Sequence, residues 1–163
     1  MSEFWPVADV LGYLAGEWEV ERGVRDLAGG DAGEFNGTTE FRPLEGDGPL
    51  EEGGLLHLEG GTFRWQGVAR PASRTLRFLP GPTPSAADVR FSDGRPFHGL
   101  DLSTGHHIAE HPCVADLYRG EFSVLSPSRW RTVWRVRGPS KDLLLTTTYT
   151  RRPSTHPKYN AIH

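Results

Sequence analysis

The sequence predicts an all-β fold, an antiparallel up-and-down meander preceded by one short N-terminal helix. Three observations carry this. Helical spacing is confined to the first fifteen residues, everything after Gly16 alternates apolar and polar residues in short runs, and Gly, Pro or Asp-Gly separate those runs with no helical pattern between them. A meander of this length must close into a barrel or fold into a sandwich to hide its edges.

The helix is read from Phe4, Val7, Val10, Leu11 and Leu14, spaced three and four apart, over roughly 5–14, with Gly16 as its stop. Strands follow at roughly 17–26, 34–43, 51–59, 62–70, 74–79, 87–92, 95–102, 106–115, 116–125, 129–137 and 143–152. The stretch PGPTPSAA is a loop, and the pairs Gly29-Gly30, Gly53-Gly54 and Gly60-Gly61 read as hairpin loops. There is no internal repeat and no linker. Residues 1–152 therefore form one domain, and residues 153–163, with two prolines and little apolar content, form an arm on its surface or on a partner.

Of the 163 residues, 36% are hydrophobic and 24% charged, with a net charge of −3, which excludes wholesale disorder. No apolar run approaches the roughly 18 residues of a membrane span. A pI near 6.2, with no basic cluster beyond Arg151 and Arg152, lacks the footprint of a nucleic-acid binder. An acidic residue stands where a secretory signal would be basic, so the expected location is cytoplasmic. The single cysteine, Cys113, forbids an internal disulfide and a cysteine-based zinc knuckle.

Period two sorts the faces, since alternate side chains point to opposite sides of a sheet. Arg22 shares the inner face with Trp18, Val20 and Val24. Phe35, Gly37, Thr39 and Phe41 lie inside on the second strand, Phe63 and Trp65 on the fourth, and Trp130, Thr132, Trp134 and Val136 on the tenth. A type I′ turn at Asp93-Gly94 sets Phe91 opposite Pro96, Arg90 opposite Phe97 and Val89 opposite His98, which sends His98 inward. The same alternation groups His107, Ala109, His111 and Cys113, and then Asp116, Tyr118, Gly120, Phe122 and Val124.

The inward polar set is thus Arg22, His98, His111, Asp116 and Tyr118, among aromatic walls that include Trp65 and Trp134. Aromatic walls with a few convergent polar groups describe a small-molecule pocket. Taken singly, each group could be satisfied by a neighbour, as in an Arg22–Asp116 pair. Burying all five costs several kcal/mol unless every one is paired. Two chemistries fit the set. A binding module would use Arg22 for an anionic or carbonyl group on an apolar or aromatic ligand. An enzyme of cyclase, isomerase or decarboxylase type would use His98 or His111, oriented by Asp116, for proton transfer and Tyr118 as donor to an oxyanion. A scaffold with a filled core is a third class. His111-x-Cys113 supplies two metal ligands and would need a third from His98 or Asp116, so no metal is expected. No nucleophile elbow or phosphate loop is present.

Gly16-Glu17-Trp18, opening the first strand after the helix, resembles the G-x-W signature of the lipocalin and calycin barrels. In those barrels an arginine of the last strand packs across the tryptophan at the closed end, a place open to Arg151 or Arg152. The segments GRPFHGLD, AEHPCVADLYRGEF and VRGPSKDLLLTTTYTRR resemble a family of uncharacterised bacterial and fungal lipocalin-like proteins with the patterns F-H, H-x-C-x-x-D-x-Y-x-G and G-P-x-K-D. That family usually carries Tyr where Leu143 stands here. The resemblance implies an up-and-down barrel of 8–10 strands and directs attention to Arg22, His98, His111, Cys113, Asp116 and Tyr118, without a reaction to transfer. Nitrobindin-like haem barrels share the entry motif, but their haem histidine lies late in the chain, and residues 129–152 contain no histidine. Haem or a metal would fall to His98 or His111, and no cofactor is expected. The expectation is an intracellular barrel, monomer or homodimer, holding a small molecule and neither nucleic acid nor membrane.

Overall fold

Ten antiparallel strands form one nearly closed sheet in the structure, a computed structural model that describes residues 3–45 and 53–153. In chain order they are α1 (Val10–Leu14), β1 (Gly16–Asp26), β2 (Ala32–Pro43), β3 (Leu55–Trp65), β4 (Val68–Pro80), β5 (Ala86–Phe91), β6 (Pro96–Asp101), β7 (His106–Pro112), β8 (Leu117–Ser126), β9 (Arg129–Gly138) and β10 (Lys141–Arg151). The sheet runs β6-β5-β4-β3-β2-β1-β10-β9-β8-β7, so the first and last strands pair and the seam falls between β6 and β7 in mid-chain.

The seam is closed by polar links instead of a ladder. Trp5 N–H donates to Val124 O of β8 at 2.8 Å and Val7 N–H to Leu102 O, just past β6, at 2.9 Å, which lays the N-terminal segment over the end of the sheet where β6 connects to β7. Asp101 N–H donates to the Nδ1 of His107 at 3.3 Å. These bonds hold residues 5–7 extended, so the helix is shorter than the spacing predicts and starts only after Asp9, whose carboxylate caps it through Gly12 N–H. No helix among the described residues is long and apolar enough to cross a membrane.

Helix α1 plugs one end. Trp18 is 0% exposed and donates from Nε1 to Leu14 O at 2.8 Å. The Arg151 guanidinium stands 4.2 Å from the Trp18 ring centroid and donates to Ala15 O and Tyr13 O, as the barrel resemblance implies. Arg152 turns outward to Glu17 and Glu19.

The middle of the chain departs from expectation. The expected strands 51–59, 62–70 and 74–79 are redrawn, since no break falls at Gly60-Gly61 and 62–70 is divided between two strands. One long strand, β3, reverses at Gln66-Gly67, where φ values of 51° and 78° give both central residues the left-handed conformation of a type I′ turn, and β4 returns. Gly60-Gly61 is therefore mid-strand. Gly61 sits opposite Gly37 of β2, and a Cβ on either would collide with the other strand's backbone. Two facing glycines let the sheet coil tightly here. Replacing Gly61 with alanine is expected to cost about 1–3 kcal/mol, since backbone must move to make room; an unchanged denaturant midpoint would contradict this close approach.

Three smaller corrections follow. Asp93 is not left-handed, so the β5–β6 turn is not type I′. Gly94 alone has positive φ, and a bulge follows between Val89 and Arg90. Strand β7 ends at Pro112, leaving Cys113 exposed in a loop where its N–H donates to Asp116 O. The expected arm lies outside the described residues from 154 onward, as do 51 and 52 of the expected third strand.

Candidate functional site

Above the closed end, the lumen crosses a buried ion cluster and then opens. Arg22 on β1 points inward, as its alternation predicts, but its partner is not Asp116. Its two terminal nitrogens donate to Glu59 of β3 at 2.9 Å each, its Nε to Thr147 Oγ1 at 2.8 Å, and a terminal nitrogen to the Tyr149 hydroxyl at 3.3 Å. Glu59 is 5% exposed and accepts a further bond from Thr39 at 3.0 Å. Burial alone would raise the Glu59 pKa, yet the Arg22 hydrogen bonds and the charges of Arg74 and Arg22 override it and hold the carboxyl at about 2.

Arg74 on β4 is directly opposite Glu59 and reaches it only at 3.7 Å, with 42% of its side chain exposed. Its guanidinium borders two hollows. One of about 230 Å³ is lined by Arg22, Phe35, Glu59, Phe63, Arg74 and Leu145, and one of about 90 Å³ by Arg22, Arg74, Phe97, Tyr118 and Trp134 among others. The first shares Val24 and Phe63 with a mouth of about 520 Å³ at the open end, walled by Trp65, Val68, Arg70 and Leu143.

The expected site residues divide. Trp65 stacks on Phe63 at 5.9 Å at the mouth, and Trp134 and Tyr118 line the deeper hollow with Arg22. His111 is paired in register with Tyr118 and touches Phe91 and Phe97 with its ring edge. His98 packs on Phe122 and Trp134, and its Nδ1 lies 2.7 Å from Gly99 O. Burial lowers its pKa to about 4, so the ring is neutral, and the carbonyl fixes the Nδ1–H tautomer. Asp116 does not join them. It sits in the β7–β8 loop with its carboxylate 3.1 Å from Lys141 Nζ, so neither expected pairing of Asp116, with Arg22 or with a histidine, is formed. The neighbouring Asp142 binds Arg135 in bidentate fashion at 3.0 and 2.9 Å. Among the described residues, no group of three or more His, Cys, Asp or Glu side chains is placed to hold a metal ion.

Four residues of this region escape the sequence reading. Glu59 and His57 lie on the inner face of β3 two and four positions before Gly61, which would have been visible had the strand been continued backward from Phe63. Arg74 faces Glu59 by the same register. Phe97, assigned outward by strict alternation, is brought inside by the bulge and stacks on Trp134 at 5.4 Å.

The profile of a family described as a family of unknown function (DUF6314) matches residues 14–151, and the chain belongs to that family. Among curated protein sequences none matches the chain. Among solved structures it is similar to an S-type phycobiliprotein lyase from Guillardia theta, at TM-score 0.67 and 10% identity, over 93% of this chain and 95% of that one. A redesigned β-barrel aligns at TM-score 0.47 and 19% identity, over 91% of this chain and 100% of its own. A barrel designed de novo for fluorescence activation aligns at 0.45 and 16%, over 90% and 100%. At these identities the lyase shows the fold alone, a calycin-like barrel.

Proposed function

We propose that this family member is a ligand-binding barrel that encloses a small, largely apolar aromatic molecule bearing an anionic or carbonyl group, with Arg74 as its polar anchor. One observation carries the reading: a hollow that opens at the barrel mouth, walled by aromatic side chains, ends on a cation that its neighbours leave half exposed. Arg22 is the residue the sequence favours for this task, but four of its five N–H donors are spent on Glu59, Thr147 and Tyr149. Arg74 holds Glu59 only at the edge of ion-pair range, so its guanidinium fork can turn to an incoming carboxylate without stranding a buried charge. Phe63 and Trp65 at the mouth, and Phe97 with Trp134 deeper in, offer ring faces to a planar body.

The enzymatic alternative needs a base held by an orienting carboxylate. His98 is oriented by a carbonyl, and Asp116 is engaged by Lys141. The binding reading is therefore the one we adopt. Two fluorescent probes test it: 8-anilinonaphthalene-1-sulfonate, an aromatic anion, and N-phenyl-1-naphthylamine, its uncharged counterpart. Arg74→Met is expected to weaken the anionic probe about 10- to 100-fold, the scale of one charge-assisted bond. The neutral probe should bind as before, and the melting temperature should fall far less than it does for Arg22→Ala. Equal loss of both probes, or of neither, would remove Arg74 as the anchor. Native mass spectrometry of protein purified from cells would then look for a resident molecule of the stated class.

A further inference from the structure

The outer face of the barrel carries a charge pattern that the lumen does not use. We propose that two copies of the chain associate about a two-fold axis lying along β10, each copy setting Arg129 and Arg131 of β9 against Glu19 and Glu21 of β1 in the other.

Strand β10 lies between β1 and β9, and the registers align their outward residues in rows. One row reads Glu19–Thr150–Arg129 and the next Glu21–Thr148–Arg131. All four charged residues are exposed. Glu19 is bonded to Arg152 at 2.9 Å, whereas Glu21, Arg129 and Arg131 have no ion-pair partner among the described residues. Each strand spacing is about 4.8 Å, so acid and base in one row stand roughly 10 Å apart across a short threonine.

In these two rows the order, acid then threonine then base, is its own complement under one symmetry operation, while the Arg25–Leu144–Arg135 row, whose Arg135 is paired with Asp142, adds no complementary pair. A two-fold axis in the interface and parallel to β10 preserves height along the strand and exchanges left for right. Arg131 then faces Glu21 of the other copy and Arg129 faces its Glu19, and each contact occurs twice. An axis across the strands would instead set arginine on arginine. Curvature favours the same arrangement. A barrel is convex outside, so two copies meet first on the short β10 threonines, and long Glu and Arg side chains span the widening gap on either side. The contact is isologous, so it closes at two copies. Exposed ion pairs are individually weak and screened by salt, so the association should be modest and salt-dependent.

Sedimentation velocity of the full chain tests this, up to millimolar concentration. Wild type is expected to dimerise at about 0.1 M salt and to dissociate toward about 1 M, where the screening length falls from about 10 to about 3 Å. R131E and E21R should each melt like wild type and associate at least roughly tenfold more weakly, a loss of about 1.4 kcal/mol. Mixing R131E with E21R should restore a heterodimer, because both copies of the exchanged contact then pair opposite charges. A chain monomeric at every concentration overturns the proposal. So does a dimer indifferent to both reversals, growth beyond two copies, or a mixture as weak as either variant alone.

Discussion

Arg22→Ala is expected to destabilise the protein by about 3–5 kcal/mol at neutral pH, the cost of leaving a buried carboxylate without its partner. Glu59 is the carboxylate left behind, buried under Thr39 and held at about pKa 2 by Arg22 and Arg74 against an ordinary 4.5. A carboxyl depressed in the folded state contributes stability that is fully present above its unfolded pKa and is lost as pH falls toward the folded one. For Glu59 that window runs from 4.5 down to about 2, and at 1.36 kcal/mol per unit it holds about 3 kcal/mol. The variant has no such contribution to lose. Its deficit against wild type should therefore be largest at neutral pH and shrink through the acid window. Arg22→Met with Glu59→Leu should recover most of the loss, since an apolar pair of similar volume often replaces a buried ion pair at little cost. Urea unfolding at several pH values measures all three proteins. A deficit independent of pH would place the cost in packing against Phe35 and not in the stranded charge.

The contrast with Arg74 separates stability from recognition within one cluster. Arg22 is enclosed and makes four hydrogen bonds, two of them to Glu59, so its removal is felt in folding. Arg74 is 42% exposed and its contact with Glu59 is 3.7 Å long, so its removal should be felt by a ligand.

Much of this architecture is legible in the residues, and the failures have local causes. Strict alternation on β1 and β9 places Arg22 and Trp134 inside, because uninterrupted strands keep period two. Gly16-Glu17-Trp18 and Arg151 identify the closed end because a tryptophan and an arginine at opposite chain ends need each other to be buried. Gly60-Gly61 misleads because glycine marks both turns and close backbone approach, and only the partner strand's Gly37 distinguishes them. Cutting the strand there hides Glu59, and without Glu59 the inward Arg22 seeks Asp116 as its partner. Asp116 fails for a related reason. Alternation carried past Pro112 runs into a loop, where period two has no meaning, and the nearby Lys141 takes the carboxylate.

His57→Leu is expected to stabilise the protein and to flatten its acid sensitivity. His57 lies one inward position deeper than Glu59, 2% exposed, with its ring packed against Phe41 at 4.7 Å and Phe78 at 5.6 Å. Neither ring nitrogen has a hydrogen-bond partner in the protein among the described residues. Burial, with the nearby Arg74 charge, lowers its pKa from 6.5 to about 3. The unfolded chain binds a proton here below 6.5 while the folded chain does not until about 3, so acidification through that window favours unfolding. Over the whole window the loss amounts to on the order of 5 kcal/mol at 1.36 kcal/mol per unit. Leucine has no proton to bind and keeps an apolar surface against both phenylalanines. At neutral pH it should add about 1–3 kcal/mol by removing an unpaired polar ring. His98, lowered to about 4 by burial, retains its own share of the dependence, so the slope should be reduced and not abolished. Glu59 acts mainly below this range. Denaturant midpoints of wild type and variant between neutral pH and about pH 4.5 decide it. Parallel curves would assign the acid sensitivity to His98 and other groups, and a variant less stable at neutral pH would mean that the imidazole is hydrogen-bonded in solution.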